Sequence, residues 1–336
     1  MNVPEPQTPR VIRQRMAIGI AGAAVAVLAA LAWPQWQAHQ AQVAQQADAI
    51  LGTRADCAAY SGIPAAWGDE PTSGMRWIDP GRVDFGSDGG YADERPVRPA
   101  QVGGFWIDRT EVTNAQFASF VSATGYVTTA ERGGGAAVFR DPAADAEVES
   151  AADWWTLETQ ANWRQPEGPD SSIERREHEP VVDVSHADAL AYAQWLGREL
   201  PSELEWEFAA KAGRDNETAD AALLDAQQQP QANFWQGLFP YDDQVEDGYR
   251  GRAPVGCYAA NPNDLHDMVG NVWEWTRDAY VATMDEPPSV VPRQVIKGGS
   301  YLCASNYCAR ARASSRQGQE ADLPTSHLGF RTVLRP

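Results

Sequence analysis

Hydrophobic positions along the chain gather into three runs at helical spacing and a series of short strand-like runs, separated by long stretches rich in glycine, proline, asparagine and aspartate. Each helical run is introduced by a capping box, in which an N-cap hydroxyl and an acid or amide three residues on satisfy each other's backbone donors. Thr113 with Gln116 opens AQFASFVSATG, closed by Gly125; Ser185 with Asp188 opens ADALAYAQWLG, closed by Gly197; Ser202 with Glu205 opens ELEWEFAAKAG, closed by Gly213. GGFWIDRTEV, NVWEWT, QVIKGGSYL and HLGFRTV read as strands. A few helices, small antiparallel sheets and much irregular chain predict a single, loop-rich α+β domain over residues 75–336. Long loops in an ordered domain usually serve function.

One apolar run differs in kind. Arg10, Arg13 and Arg15 precede an uncharged stretch from Met16 to Trp33, so residues 1–33 read as a signal peptide or membrane anchor that exports the rest of the chain. At 1.5 Å per residue the run spans about 27 Å against a hydrocarbon core of about 30 Å, which leaves anchoring through residues 16–33 and cleavage after the small residues Ala30 and Ala32 both open. The folded part is therefore expected in the periplasm, anchored to the inner membrane or released. Residues 34–74, rich in alanine and glutamine, read as a tether.

A net charge of -19 and a pI near 4.6 argue against a nucleic-acid partner, which needs a basic face. No GxSxG, HExxH or phosphate-loop pattern occurs, and the histidines show no HxxxH spacing. The loops ANFWQGLFPYDDQVEDGYRG and DLHDMVGNVWEW hold Asn233 and Asp247, then Asp267 and Glu274 around Gly270. Carboxylates, amide oxygens and carbonyls on glycine-bent loops are the donors calcium takes; the same acids also read as solvated loop residues. Arg310 and Arg312 alternate on a candidate strand, where they either offer fixed cations to a peptide or pair with the chain's own acids.

The four cysteines fall into two pairs. Cys57 and Cys257 either bridge, as an oxidising compartment allows, or are unrelated small core residues. Cys303 and Cys308 lie five apart in KGGSYLCASNYCARAR. A disulfide across so short a loop removes little unfolded-state entropy, whereas two thiolates on a tight turn offer a redox couple or a seat for a soft ion such as Cu(I).

Read in order, GFWIDRTEVTNAQFASFV, ANWRQPEGPDSSI, EPVVDVSHADALAYAQWLGRELPSELEWEFAAKAG, ANFWQG, EDGYRG, GNVWEWTRD, KGGSYLCASNYCARAR and HLGFR resemble the formylglycine-generating enzyme, or sulfatase-modifying factor, family over about residues 75–335. Noncatalytic proteins share the general domain, with which Cys303 and Cys308 would be a plain disulfide; the GGSYxCxxxxCxRxR segment marks the catalytic branch. The resemblance implies a C-type-lectin-like fold and a post-translational oxidase that uses O2 and copper to convert a cysteine, in a Cys-x-Pro-x-Arg-like motif of a sulfatase polypeptide, to Cα-formylglycine. Cys303 and Cys308 would hold Cu(I), Ser300 would border the copper and O2 pocket, and Trp273 would line it. Arg310, Arg312 and His327 are the expected substrate-binding residues. One structural Ca2+ maps onto Asn233, Phe234, Asp247 and Tyr249, and a second onto Asp267, Gly270, Val272 and Glu274.

The chain departs from the family pattern in three places. The positions of two disulfides of animal members are Ala193, Thr332, Ala210 and Ala313; DNETADAALLDAQQQP replaces the turn after the third helix; and QGQEADLPTSH, between Arg316 and Leu328, puts Pro324 at a usual serine and His327 at a usual asparagine. The last segment borders the expected substrate groove, so the substrate preference is expected to differ.

Overall fold

In a computed structural model of the protein, which describes residues 50–142, 150–221, 223–281 and 291–336, the three predicted helices start where their capping boxes place them. The apolar run over residues 16–33 lies outside the described residues; among the described residues no helix is long and apolar enough to cross a membrane.

A short helix α1 (Arg54–Ala59), capped by Thr53, precedes the predicted ones. In α2 (Asn114–Thr124) the Thr113 hydroxyl accepts from the Gln116 amide while Gln116 Oε1 accepts from the Thr113 amide, leaving neither group orphaned. Helix α3 (His186–Trp195) and α4 (Glu203–Lys211) begin the same way at Ser185 and Ser202. Gly125 closes α2 in the left-handed region, but α4 is closed one residue before Gly213, by Ala212 at φ 49°. Asp215 caps a further helix, α5 (Asn216–Asp220), inside the insertion that follows; five residues are too few for a periodic signal.

Strands β1 (Met75–Ile78), β4 (Phe105–Asp108) and β13 (Val333–Leu334) form one sheet in the order β1-β4-β13. A four-stranded sheet has the order β11-β10-β9-β12, from β9 (Trp273–Ala279), β10 (Arg293–Lys297), β11 (Arg316–Glu320) and β12 (Leu328–Gly329). Three two-stranded ladders complete the set: β2 (Gly81–Phe85) with β3 (Arg98–Val102), β5 (Ala136–Phe139) with β6 (Trp155–Glu158), and β7 (Gly237–Leu238) with β8 (Asp242–Asp243). All pairs are antiparallel except β12 with β9, which sets Leu328 beside Trp273. The predicted strand QVIKGGSYL ends at Lys297, because Gly298 and Gly299 turn the chain at φ 94° and 78°. A side chain on Gly299 would meet the Ala311 backbone at 2.5 Å.

The main core packs Phe117, Phe120 and Tyr192 of α2 and α3 against Trp273, Trp275, Ile296, Leu328 and Phe330, with Cys303 among them. A second cluster sets Trp206 of α4 against Ile78, Phe105 and Ile107, and includes Ala210 and Ala313 at the vacated disulfide positions. Several buried charges are paired: Arg331 with Glu274, Arg198 with Asp108, and Lys297 and Lys211 with Glu207.

The expected tether is not free in its described part. Cys57 is disulfide-bonded to Cys257, the Gly52 amide donates to the Gly256 carbonyl at 2.8 Å, the Thr113 hydroxyl reaches the Gly62 carbonyl, and Arg198 holds the carbonyls of Pro71 and Ser73. The fold thus begins well before Met75. Its first segment was illegible because its contacts are with residues far along the chain. Cys257→Ser should lower unfolding stability by roughly 2–5 kcal/mol, since the bridge spans a sequence separation of 200 residues. Urea unfolding under non-reducing conditions checks this; an unchanged midpoint would show that the bridge contributes nothing.

Candidate active site

After the Gly298-Gly299 turn the chain folds a tight loop in which Ala304 and Tyr307 exchange backbone hydrogen bonds at 2.8 and 3.1 Å. Cys303 and Cys308 flank that bridge, which brings their sulfurs to 3.1 Å. A disulfide bond is about 2.05 Å long, and both cysteines are free. Cys303 is buried and Cys308 half-buried, with φ at +49°.

The two thiols are electrostatically unequal. Burial opposes ionisation of Cys303, but the hydrogen bond from Cys308 and those from the Ser300 and Arg310 amides outweigh it, and its thiol sits below the ordinary value. Cys308 is pushed far up, first by the hydrogen bond it gives Cys303 and then by burial. Cys303 is thus the more readily ionised thiol of the pair, and Cys308 the one that keeps its proton.

Cys308 opens into a cavity of about 280 Å3 that also takes in Ser300, Trp273 and His327, so the fold brings four of the predicted residues together with Cys303 directly behind them. Trp273 forms its wall from β9, and its amide donates to the His327 carbonyl at 2.9 Å. His327 lies 4.8 Å from the Trp155 ring, its Nδ1 is 2.9 Å from the Thr325 hydroxyl, and burial holds its pKa down to about 3, so it is neutral. Sequence reasoning missed Trp155, Phe239, Tyr307, Gln317 and Gln319, which complete the lining. Tyr307 stacks on Phe239 at 4.5 Å. These residues come from four separate hairpins, loops or strands, and only the closed fold sets them around one space.

Arg310 and Arg312 go elsewhere. The segment carrying them is not a strand. Arg310 lies 3.8 Å over the Tyr91 ring and pairs with Asp93, while Arg312 pairs with Glu94 at 2.6 Å and Asp220 at 3.2 Å. Neither lines the cysteine cavity. Their cationic charge is spent on the chain's own acids, which corrects the expectation that they face substrate.

The two expected calcium sets differ. In the first, the Phe234 carbonyl and Asp247 Oδ2 converge on one donor, Gln236 Nε2, and the buried Asn233 Oδ1 has no hydrogen-bond partner. The Tyr249 amide donates to Asp247 Oδ1 at 3.0 Å. Oxygens converging on a stand-in donor, with one oxygen orphaned, fit a hard cation. In the second, Glu274 already accepts from Arg331 at 2.6 and 2.7 Å and from the Trp206 indole at 2.7 Å. Asp267, raised to about 6 chiefly by burial, accepts from the Gly256 amide at 2.6 Å and lies close to Glu111, whose Oε2 has no partner. Here a guanidinium holds one predicted ligand, and only the surplus charge of the other carboxylates is left for a cation. Among the described residues no three His, Cys, Asp or Glu side chains form a metal site by themselves, so either set depends on carbonyls such as those of Gly270 and Val272.

The sulfatase-modifying factor enzyme 1-like domain family matches residues 63–336. The chain belongs to this family, that of the formylglycine-generating enzymes. Among its relatives, a formylglycine-generating enzyme of Thermomonospora curvata is 42% identical over 296 residues, covering 82% of this chain and 97% of that protein. A cattle protein named inactive C-alpha-formylglycine-generating enzyme 2 is 38% identical over 275 residues, 79% of this chain and 89% of its own. The structure of PvdO from Pseudomonas aeruginosa superposes with a TM-score of 0.54 at 21% identity, covering 77% of this chain and 93% of that one, a likeness of fold. The loop-rich α+β domain predicted from sequence is thus the fold of the formylglycine-generating enzyme family.

Because Cys308 supplies the main hydrogen bond that lowers Cys303, Cys308→Ala should move the Cys303 titration upward. Thiolate absorbance followed against pH on the reduced, copper-free protein checks this; an unshifted midpoint would mean that Cys308 does not hold the thiolate.

Proposed function

We propose that the protein converts a cysteine in a Cys-x-Pro-x-Arg-like motif of a sulfatase polypeptide to Cα-formylglycine with O2, using Cu(I) held by Cys303 and Cys308. The chain is an enzyme of the formylglycine-generating family, an oxidase of a sulfatase cysteine. What carries the reading is the contact pair of free cysteines, one opening into the cavity lined by Ser300 and Trp273. A pair of sulfur donors in contact suits a soft ion. Bound Cu(I) would supply a soft seat for the substrate sulfur and a reductant for dioxygen.

The chain's own groups prepare that chemistry. Cys303 is the more readily ionised thiol, and Cys308 carries a proton to be displaced on metal binding. Ser300 Oγ accepts from the Leu302 amide at 3.3 Å, and its own proton is directed to the Cys303 sulfur. Trp155, Phe239, Trp273 and Leu302 give the cavity an apolar wall that keeps bulk water from the reacting sulfur. Loss of two electrons and two protons turns the substrate thiol and its methylene carbon into a thioaldehyde, and water replaces the sulfur, which leaves as hydrogen sulfide. Reduction of O2 to water takes four electrons, so a second thiol reductant supplies the other two.

The Cys57–Cys257 bridge and the basic residues ahead of the apolar run support a periplasmic location, anchored or released. Calcium held by Asn233, Phe234, Asp247 and Tyr249 would fasten the segment beneath the Cys303 loop, where the Trp235 amide donates to the Cys303 carbonyl at 3.0 Å. Chelation should then lower the melting temperature and added calcium restore it; no shift would remove that assignment.

The second reading, a noncatalytic module of the same fold, is favoured by the relative named inactive. Reduced protein loaded with one equivalent of Cu(I) should, with O2 and a thiol reductant, convert a Cys-x-Pro-x-Arg peptide to a product in which one oxygen replaces a sulfur and two hydrogens. Cys303→Ser and Cys308→Ser should each lose both tight Cu(I) binding and turnover. Wild-type protein without tight copper binding or turnover would overturn the reading in favour of the noncatalytic one.

A further inference from the structure

We propose that Gln317, seconded by Gln319, holds the main chain of the substrate peptide beside Cys308, in a cavity that accepts only uncharged side chains next to the target cysteine. This rests on the proposed function and names what the site reads in its substrate.

Strand β11 is outermost in the order β11-β10-β9-β12, so one of its edges has no strand partner. Gln317 and Gln319 are two residues apart on it and project to the same face. Through Ile296 that face is continuous with Trp275, and so with Trp273 two residues before it. Both glutamines line the cavity that Cys308 enters. Gln319 Nε2 is engaged with the Leu323 carbonyl at 3.1 Å, which pins that side chain and leaves its Oε1 as an acceptor. The Gln317 side chain has no hydrogen-bond partner among the described residues. A carboxamide carries a donor and an acceptor side by side, the complement of a peptide group.

Charge points the same way. No residue lining the cavity is an acid, lysine or arginine, and His327 is neutral. The cations nearest in sequence are committed elsewhere: Arg310 to Asp93, Arg312 to Glu94 and Asp220, and Arg316 to Glu203. A charged neighbour of the target cysteine would be desolvated there without a counter-charge. Gln317 and Gln319 stand in the segment where this chain departs from its family, so the selectivity belongs to this chain.

The binding part of the test needs no copper. The described cavity is probed in the full chain with a fluorescent Cys-x-Pro-x-Arg peptide whose cysteine is serine, with the same peptide N-methylated on the main-chain amides flanking that serine, and with aspartate next to the serine. Wild-type protein should lose roughly 3- to 10-fold in affinity on N-methylation, and Gln317→Ala should lose as much for the plain peptide but little more for the methylated one. Gln317→Lys should recover affinity for the aspartate peptide, which the wild type should bind at least 10-fold more weakly than the plain one. In turnover, Gln317→Ala should raise KM and leave kcat near its wild-type value. Equal binding of all peptides by wild type, or strictly additive losses from methylation and Gln317→Ala, would overturn the proposal. Tight binding of the serine peptide without turnover of the cysteine peptide would instead count against the oxidase reading alone. A variant that keeps the wild-type melting temperature and Cu(I) stoichiometry shows that any loss is not misfolding.

Discussion

Arg331 and Glu274, both fully buried, form the ion pair on which the rest of the structure depends. Arg331 donates to Glu274 through Nε and Nη2, to the Asp108 carbonyl through Nη1 and to the His266 carbonyl through Nη2, while Glu274 also accepts from the Trp206 indole. One guanidinium thus joins the end of β4, the strand β9, the loop before it and helix α4. Such a pair is no large source of net stability, because desolvation offsets its attraction. Removing one partner costs about 3–5 kcal/mol, since the other charge is left buried and alone. Its value lies in register: Glu274 and Arg331 fix β9 against the chain after β12, so that Trp273 and His327 meet as the cavity wall.

Against that wall the cysteine loop sets two like groups in unlike surroundings. Cys303, walled in by the aromatic core, would normally be kept neutral, yet hydrogen bonds from Cys308, Ser300 and Arg310 draw its pKa down. Cys308, half-buried at the mouth, keeps its proton by giving it to Cys303 in a hydrogen bond. The cost of a left-handed backbone at Cys308 is borne by the paired bridge of Ala304 and Tyr307 and by the Gly298-Gly299 turn. Nearby cations are drawn off by Asp93, Glu94 and Asp220, so the cavity stays uncharged. Asp220 ends helix α5, so the acidic segment after α4 takes part in that diversion.

Much of the local structure could be read from the residues. The capping boxes at Thr113, Ser185 and Ser202 act within four residues and needed no tertiary help. The GGSYLCASNYC segment was legible for the same reason, since the turn, the tight loop and both sulfurs are local. Arg310 and Arg312 were not, because the acids that claim them lie some 90 to 220 residues away in sequence. Cys57 and Cys257, 200 residues apart, left two readings open until the fold brought α1 onto the loop carrying Tyr249 and Tyr258.

By itself, then, the sequence determined the family, the three helices opened by capping boxes and the tight loop that carries both cysteines, because each is written in residues that lie close along the chain. The tertiary structure alone decided which side chains share the cavity, which charges are spent elsewhere, and where the fold begins. Trp155, Phe239 and Gln317 carry no local mark of their role; they become neighbours of Cys308 only when a hairpin, a loop and an edge strand close around the same core. Hydrophobic burial draws those segments together without regard to their order in the chain, and it is this closure that turns two nearby thiols into a site.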